Sequence, residues 1–270
     1  MKGYKCLIVI LFLTLFHWGA AQDIEFKWPE GTTSAVCLTY DDAINTHLDI
    51  AIPDLNKEDL RGTFYMQGSN ISIERMEDWR EASRQGHELG NHTVYHPCTI
   101  NYDWIDEEFS TEKYSVSRML LELKVMNTLL YALDGQEERS FSYACSETEV
   151  SGISYIDSLR KSGLFVGARG GGQGVVDDMK SMNIFNVPSW GVLEPSGQEM
   201  IDFVKGAENV NGLAVFMFHG VGGDYLKVSR KAHTELLSYL NKNRKTIWVA
   251  PFVEIIQHII SERERLGWEN

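Results

Sequence analysis

Strand-like apolar runs alternate with helix-length amphipathic stretches along most of this chain, and that alternation leaves few folds open. Residues 34–40, 61–67, 87–91, 140–145, 164–168, 183–188, 213–219 and 246–249 read as strands. Residues 44–60, 76–84, 111–133, 152–161, 199–208, 230–243 and 252–264 read as helices. Met119, Leu120, Leu123, Met126, Leu129 and Leu130 recur at helical spacing. Strands alternating with helices of this length imply parallel βαβ units. Seven or eight such units in a chain of 270 residues suit a (β/α) barrel better than an open sheet. No repeat and no Pro/Ser-rich linker divides the sequence, so a single α/β domain is expected. The glycine-dense stretch Gly170-Gly171-Gly172-Gln173-Gly174 follows a strand but opens no helix. It therefore fails as a phosphate cradle and reads as a flexible loop beside the site.

The first twenty-one residues stand apart from the fold. Lys2 and Lys5 precede an apolar run over 6–16, and Gly19, Ala20 and Ala21 follow. A basic start, a short apolar stretch and small residues describe a secretory signal peptide. The run is too short to span a bilayer comfortably, and no second one follows. The expected organisation is a leader over 1–21 and a domain over 22–270, exported to the periplasm or outside the cell, with no integral membrane domain after signal removal. A net charge of −13 argues against nucleic acid as a partner, because phosphate binding needs a surplus of Lys and Arg. Beyond the leader remain Cys37, Cys98 and Cys145. An odd number allows at most one internal disulfide, so this is no Cys-stapled scaffold, and Cys37 reads as a small core residue.

In barrels of this kind chemistry sits where strands end. The first strand runs into Asp41-Asp42, although β-structure disfavours Asp and a turn or helix cap is the plain alternative. Downstream of the third strand stand His92 and His96, four apart and able to converge on one ion if tightly turned. His219 ends the most apolar strand of the chain, a position that packing explains poorly. Together these residues supply one carboxylate and two imidazoles for a metal, and leave a second carboxylate and a third imidazole for proton transfer. Three protein ligands with an open position is the catalytic arrangement of zinc.

The segments 39–42, 92–96 and 217–219 resemble the motifs of polysaccharide deacetylases (the NodB-homology domain, carbohydrate esterase family 4), in the family's order over roughly residues 35–251. The resemblance implies a distorted (β/α) barrel with about seven strands. It implies a divalent metal, zinc by preference, held by Asp42, His92 and His96, with Asp41 as general base and His219 as general acid. By the same resemblance Cys145 matches the oxyanion N–H position, and Trp190 and Met217 match the apolar acetyl pocket. The expected substrate is an acetylated polysaccharide or oligosaccharide, N-acetylated rather than O-acetylated.

The chain departs from the family pattern at two places. Ser142 stands where the third motif carries an Arg that orients the base, and Arg169 on the neighbouring strand is a candidate replacement. The fourth motif's Asp is missing from 186–190. Cys98 and Cys145 both fall beside the expected site, where they form the one permitted disulfide or Cys98 approaches the metal. His47, His87, His233 and His258 read as structural or surface residues, His233 lying near the site loop. Besides a deacetylase, two alternatives stand: a glycan-binding protein of the same fold with impaired catalysis, and a metal hydrolase acting on a non-sugar amide.

Overall fold

A computed structural model describes residues 25–269, so the expected leader over 1–21 lies outside the described residues. The elements run β1 (Ser34–Asp41), α1 (Ile52–Lys57), β2 (Thr63–Met66), α2 (Met76–Arg84), β3 (Glu88–Asn91), α3 (Val116–Asp134), β4 (Phe141–Ser142), β5 (Glu149–Val150) and β6 (Ile153–Ser154). They continue with α4 (Ile156–Ser162), β7 (Ala168–Arg169), β8 (Trp190–Gly191), α5 (Gly197–Asn209), β9 (Leu213–Phe218), α6 (Arg230–Lys242), β10 (Ile247–Val249) and α7 (Phe252–Leu266).

Seven strands form a curled parallel sheet in the order β7-β4-β3-β2-β1-β9-β8. The remaining member, β10, pairs with the first half of β1 at Ser34–Val36, while β2 takes the second half at Thr39–Asp41. β1 is buried at every position, as a central parallel strand covered on both faces must be. Its alternate residues serve two cores. Val36, Leu38 and Tyr40 pack with Phe216 and Phe218 beneath α1, α5 and α6. Ala35 and Cys37 pack with Leu213, Val215 and the α7 residues Phe252, Ile255, Ile256 and Ile259. This is the expected α/β distorted barrel. Tyr65 lies across β3, where a Cβ on Gly90 would stand 2.5 Å from its ring, so only glycine fits there.

Local differences from the sequence reading have physical causes. Residues 183–188 form no regular strand; a single parallel bridge, Arg169 to Val187, closes the gap between β7 and β8. Residues 149–154 form a small hairpin where a helix was expected to begin. The glycine loop is packed at its start: Gly170 is buried, its carbonyl accepts from Ser189 Oγ at 2.7 Å, and a Cβ there would collide with Asn186.

Three buried histidines outside the strand-end set are held neutral. Burial pushes His47 down to about 4, His87 down to about 3, with Arg61 adding to the effect, and His233 down to about 4. Each titrates at its ordinary value near 6.5 once unfolded, so the unfolded chain takes up more protons below that pH. Their stabilisation is complete above pH ~6.5 and lost as pH falls toward about 4, at roughly 2 kcal/mol per histidine by pH 5. The melting temperature should therefore drop between pH 7 and pH 5, and less steeply in a His87→Gln variant. A flat profile over that window would contradict the assignment.

Candidate metal and catalytic centre

Asp41 closes β1, opposite Tyr65 in the ladder, and Asp42 follows with φ 82°. The turn is fixed by Asp42 N–H donating to the Tyr65 carbonyl at 3.0 Å and by Asn70 Nδ2 donating to the Asp42 carbonyl at 2.9 Å. Beyond β3 the chain turns back through Thr93 at φ 65° and His96 at φ 54°, left-handed conformations that cost a side-chain-bearing residue about 1–2 kcal/mol each. Such strain persists only where the surroundings over-determine it, and here they do. Thr93 N–H donates to Asn91 Oδ1 at 2.9 Å, and His96 N–H to Thr93 Oγ1 at 2.8 Å. Buried Glu122 of α3 accepts from the N–H groups of Val94 and Tyr95, each at 3.0 Å.

The result is convergence. His92 Nε2 and His96 Nε2 each lie 3.4 Å from Asp42 Oδ1, and His219 Nε2 lies 3.7 Å from Asp42 Oδ2. One donor atom from each of Asp42, His92 and His96 falls within 4.8 Å of the other two. Asp42 Oδ1 is buried without a hydrogen-bond partner, a state that normally carries a penalty. His92 Nδ1 sits 2.9 Å from the Ser142 carbonyl; the donation this implies fixes the tautomer and leaves Nε2 a lone pair. A carboxylate and two imidazoles so placed fit a divalent cation.

Burial and neighbouring charges act differently on the three groups. Burial would raise the Asp42 carboxyl, but contact with His92 and the charges of His92, His96 and His219 hold it well below the carboxylate range. Burial, reinforced by His92, pushes His96 down to about 4, which keeps its ring neutral. For His92 burial acts downward, yet Asp41 and Asp42 outweigh it and the net direction is up.

Arg169 reaches Asp41 from β7. Its Nη2 donates to Asp41 Oδ2 at 2.5 Å and to Ser142 Oγ, and its Nη1 donates to Ser189 Oγ at 3.0 Å. Ser142 and Arg169 are direct partners in the β4–β7 ladder, so the small Ser142 leaves space for the guanidinium of its neighbour. Asp41 Oδ1 remains buried and without a partner.

The other sequence candidates divide. Met217 alternates with Val215 onto the interior face. Trp190 does not join it: its register partner is Phe216, and its ring packs 5.1 Å from Phe203 and 5.8 Å from Phe216 on the helix-facing side. Cys145 (φ 51°) is bonded to Cys98. Cys98 Sγ is 3.5 Å from His96 Nδ1, but a disulfide sulfur is no thiolate ligand, which closes the alternative that Cys98 serves the metal. His233 is buried on the helix side with its Nε2 2.8 Å from Tyr40 Oη. Sequence reasoning missed Tyr225, whose hydroxyl donates to Asp42 Oδ2 at 2.7 Å, and His47, whose Nε2 donates to the His219 carbonyl at 2.9 Å. It also missed Glu122, although an acid on the apolar stripe between Met119 and Met126 was a visible signal.

The family model described as polysaccharide deacetylase matches residues 29–160. Among solved structures, the chain is similar to the CE4 domain of a multidomain xylanase from the hindgut metagenome of Trinervitermes trinervoides, with TM-score 0.53, 15% identity, and 87% of this chain and 91% of that one covered. It is similar to the catalytic domain of a peptidoglycan N-acetylglucosamine deacetylase from Eubacterium rectale, with TM-score 0.53, 15% identity and 80% and 88% covered. It is also similar to a CE4 family pseudoenzyme from Bacillus anthracis, with TM-score 0.51, 16% identity and 83% and 65% covered. No curated protein matches the chain significantly.

The disulfide ties the His96 loop to the turn that follows Ser142, the residue holding His92. Closing 47 residues of chain contributes about 4 kcal/mol in the chain-entropy estimate. Cys98→Ser should lower the melting temperature and weaken zinc binding at least tenfold in a calorimetric titration of the folded variant. Unchanged zinc affinity would show that the clamp does not position the ligands.

Proposed function

This chain carries a polysaccharide deacetylase domain, and from that premise we propose that it is a metal-dependent hydrolase removing acetyl groups from N-acetylated sugars of an exported or extracellular glycan. The observation that carries this reading is the meeting of Asp41, Asp42, His92, His96 and His219 at one end of the sheet, with Arg169 on Asp41. Asp42, His92 and His96 would hold the cation, and zinc suits two imidazoles and a carboxylate. When bound, it supplies Lewis acidity toward the acetyl carbonyl and a water molecule.

The remaining work falls to protein groups. Arg169 fixes Asp41 Oδ2, and Oδ1 is left to accept the proton of the attacking water. The water oxygen bonds to the acetyl carbon. His219 gives its proton to the departing nitrogen as the C–N bond breaks, leaving acetate and a free amine. His47 steadies the His219 backbone through the carbonyl bond at 2.9 Å. An N–H at Cys145 is the proposed oxyanion donor, and Met217 is the proposed wall for the acetyl methyl group. Export, with a leader over 1–21 ahead of a domain over 22–270, is part of this proposal, and the Cys98–Cys145 bond supports it because such bonds persist in oxidising compartments.

A second reading, a glycan-binding protein without turnover, draws on one observation. Among the described residues the only carboxylate within 4 Å of a His219 ring nitrogen is Asp42 itself, so the separate acid of the family's fourth motif has no counterpart there.

Acetate release from chitooligosaccharides by the zinc-loaded chain separates the two. Asp41→Asn should lower kcat about 10²- to 10⁴-fold with zinc still bound. Arg169→Ala should lower kcat more than it changes KM, checked on protein shown by circular dichroism to be folded. Equal turnover by Asp41→Asn would remove Asp41 from the mechanism. Oligosaccharide binding without acetate release would establish the second reading.

A further inference from the structure

Between His96 and α3 the chain makes a short excursion whose aromatic side chains are left in solvent. Trp104 is 60% exposed and Tyr102 42% exposed, with ring centroids 5.4 Å apart. The Trp104 ring lies 5.8 Å from that of His96, so this surface continues directly from the proposed metal centre. Alongside, Tyr95 stacks on Phe109 at 4.7 Å.

The base of the excursion is braced. Thr99 N–H donates to Glu147 Oε1 at 2.8 Å, Thr99 Oγ1 to Glu112 Oε1 at 2.7 Å, and Ile100 N–H to Glu112 Oε2 at 3.1 Å. Thr111 Oγ1 donates to the other Glu147 oxygen at 2.8 Å. A pinned turn that presents large rings to water marks a surface made for contact. Tyr225, half exposed, also borders the centre, its ring 6.0 Å from His219.

We infer that Trp104, with Tyr102, forms a stacking subsite for a pyranose ring of the glycan adjacent to the sugar being deacetylated. The inference deepens the deacetylase reading and rests on it for the choice of ligand. A pyranose offers an apolar C–H face to an aromatic ring. Residues 97–113 carry Asp103, Asp106, Glu107, Glu108 and Glu112 against a single cation, Lys113, which pairs with Glu107 at 2.7 Å. The occupant is accordingly an uncharged or cationic sugar chain; a sulfated or uronate polymer would meet repulsion.

Chitotetraose titrated calorimetrically into zinc-loaded Asp41→Asn protein tests this without turnover. Adding Trp104→Ala should raise Kd about five- to tenfold, Trp104→Phe should restore most of the loss, and Tyr131→Ala, an exposed aromatic of α3, should change nothing. In the active chain Trp104→Ala should raise KM for chitotetraose similarly, with kcat changed less than KM. A sulfated tetrasaccharide should bind more weakly than chitotetraose. Unchanged Kd and KM in Trp104→Ala overturn the subsite even if acetate is released. Trp104-dependent binding with no acetate release by the wild type supports the subsite and removes the deacetylase reading.

Discussion

Two adjacent carboxylates are buried at the end of one central strand, and the rest of the site is organised around that burden. Asp41 and Asp42 are 2% and 4% exposed, and taking a carboxylate out of water costs several kcal/mol unless it is paired. The pairing is divided. Asp41 faces Arg169, whereas Asp42 faces three imidazoles and the Tyr225 hydroxyl. Even so, one oxygen of each carboxylate accepts no hydrogen bond. A fold selected for stability alone has little reason to keep such atoms; a centre that binds a cation and takes up a proton needs both.

The same division explains how an altered motif retains its electrostatics. Where the family pattern places an Arg on the strand that here carries Ser142, this chain supplies the guanidinium one strand over, at the register partner of Ser142. Serine is small enough to leave the space and polar enough to accept a hydrogen bond from it. Among the described residues, Asp42 is the only carboxylate within 4 Å of a His219 ring nitrogen. Asp41 thus has a charged partner beyond the cation-binding set, whereas the carboxylate near His219 is Asp42 itself.

Much of this was legible in the sequence because it follows from periodicity and strand ends. The continuous apolar run at 213–218, the alternation of strands with helices, and the placing of Asp41, Asp42, His92, His96 and His219 at or beyond strand exits all carry over to the structure. What was not legible depends on register and on contacts distant in sequence. Trp190 turns toward the helices because it pairs with Phe216, which no local pattern reveals. Tyr225 reaches Asp42 from 183 residues away. The 183–188 segment is apolar enough for a strand, yet it meets β7 through one bridge, with Ala168 and Gly170 donating to the carbonyls of Ile184 and Val187.

The account depends on Asp42, His92 and His96 sharing one ion. Its most direct test is zinc stoichiometry and affinity, measured by calorimetry with elemental analysis on chelator-stripped wild type, Asp42→Ala, His92→Ala and Asp41→Asn. One tightly bound zinc per chain in the wild type and in Asp41→Asn, and its loss in Asp42→Ala and His92→Ala, is the predicted result. Zinc retained without Asp42 and His92, or no zinc bound by the wild type, would contradict it.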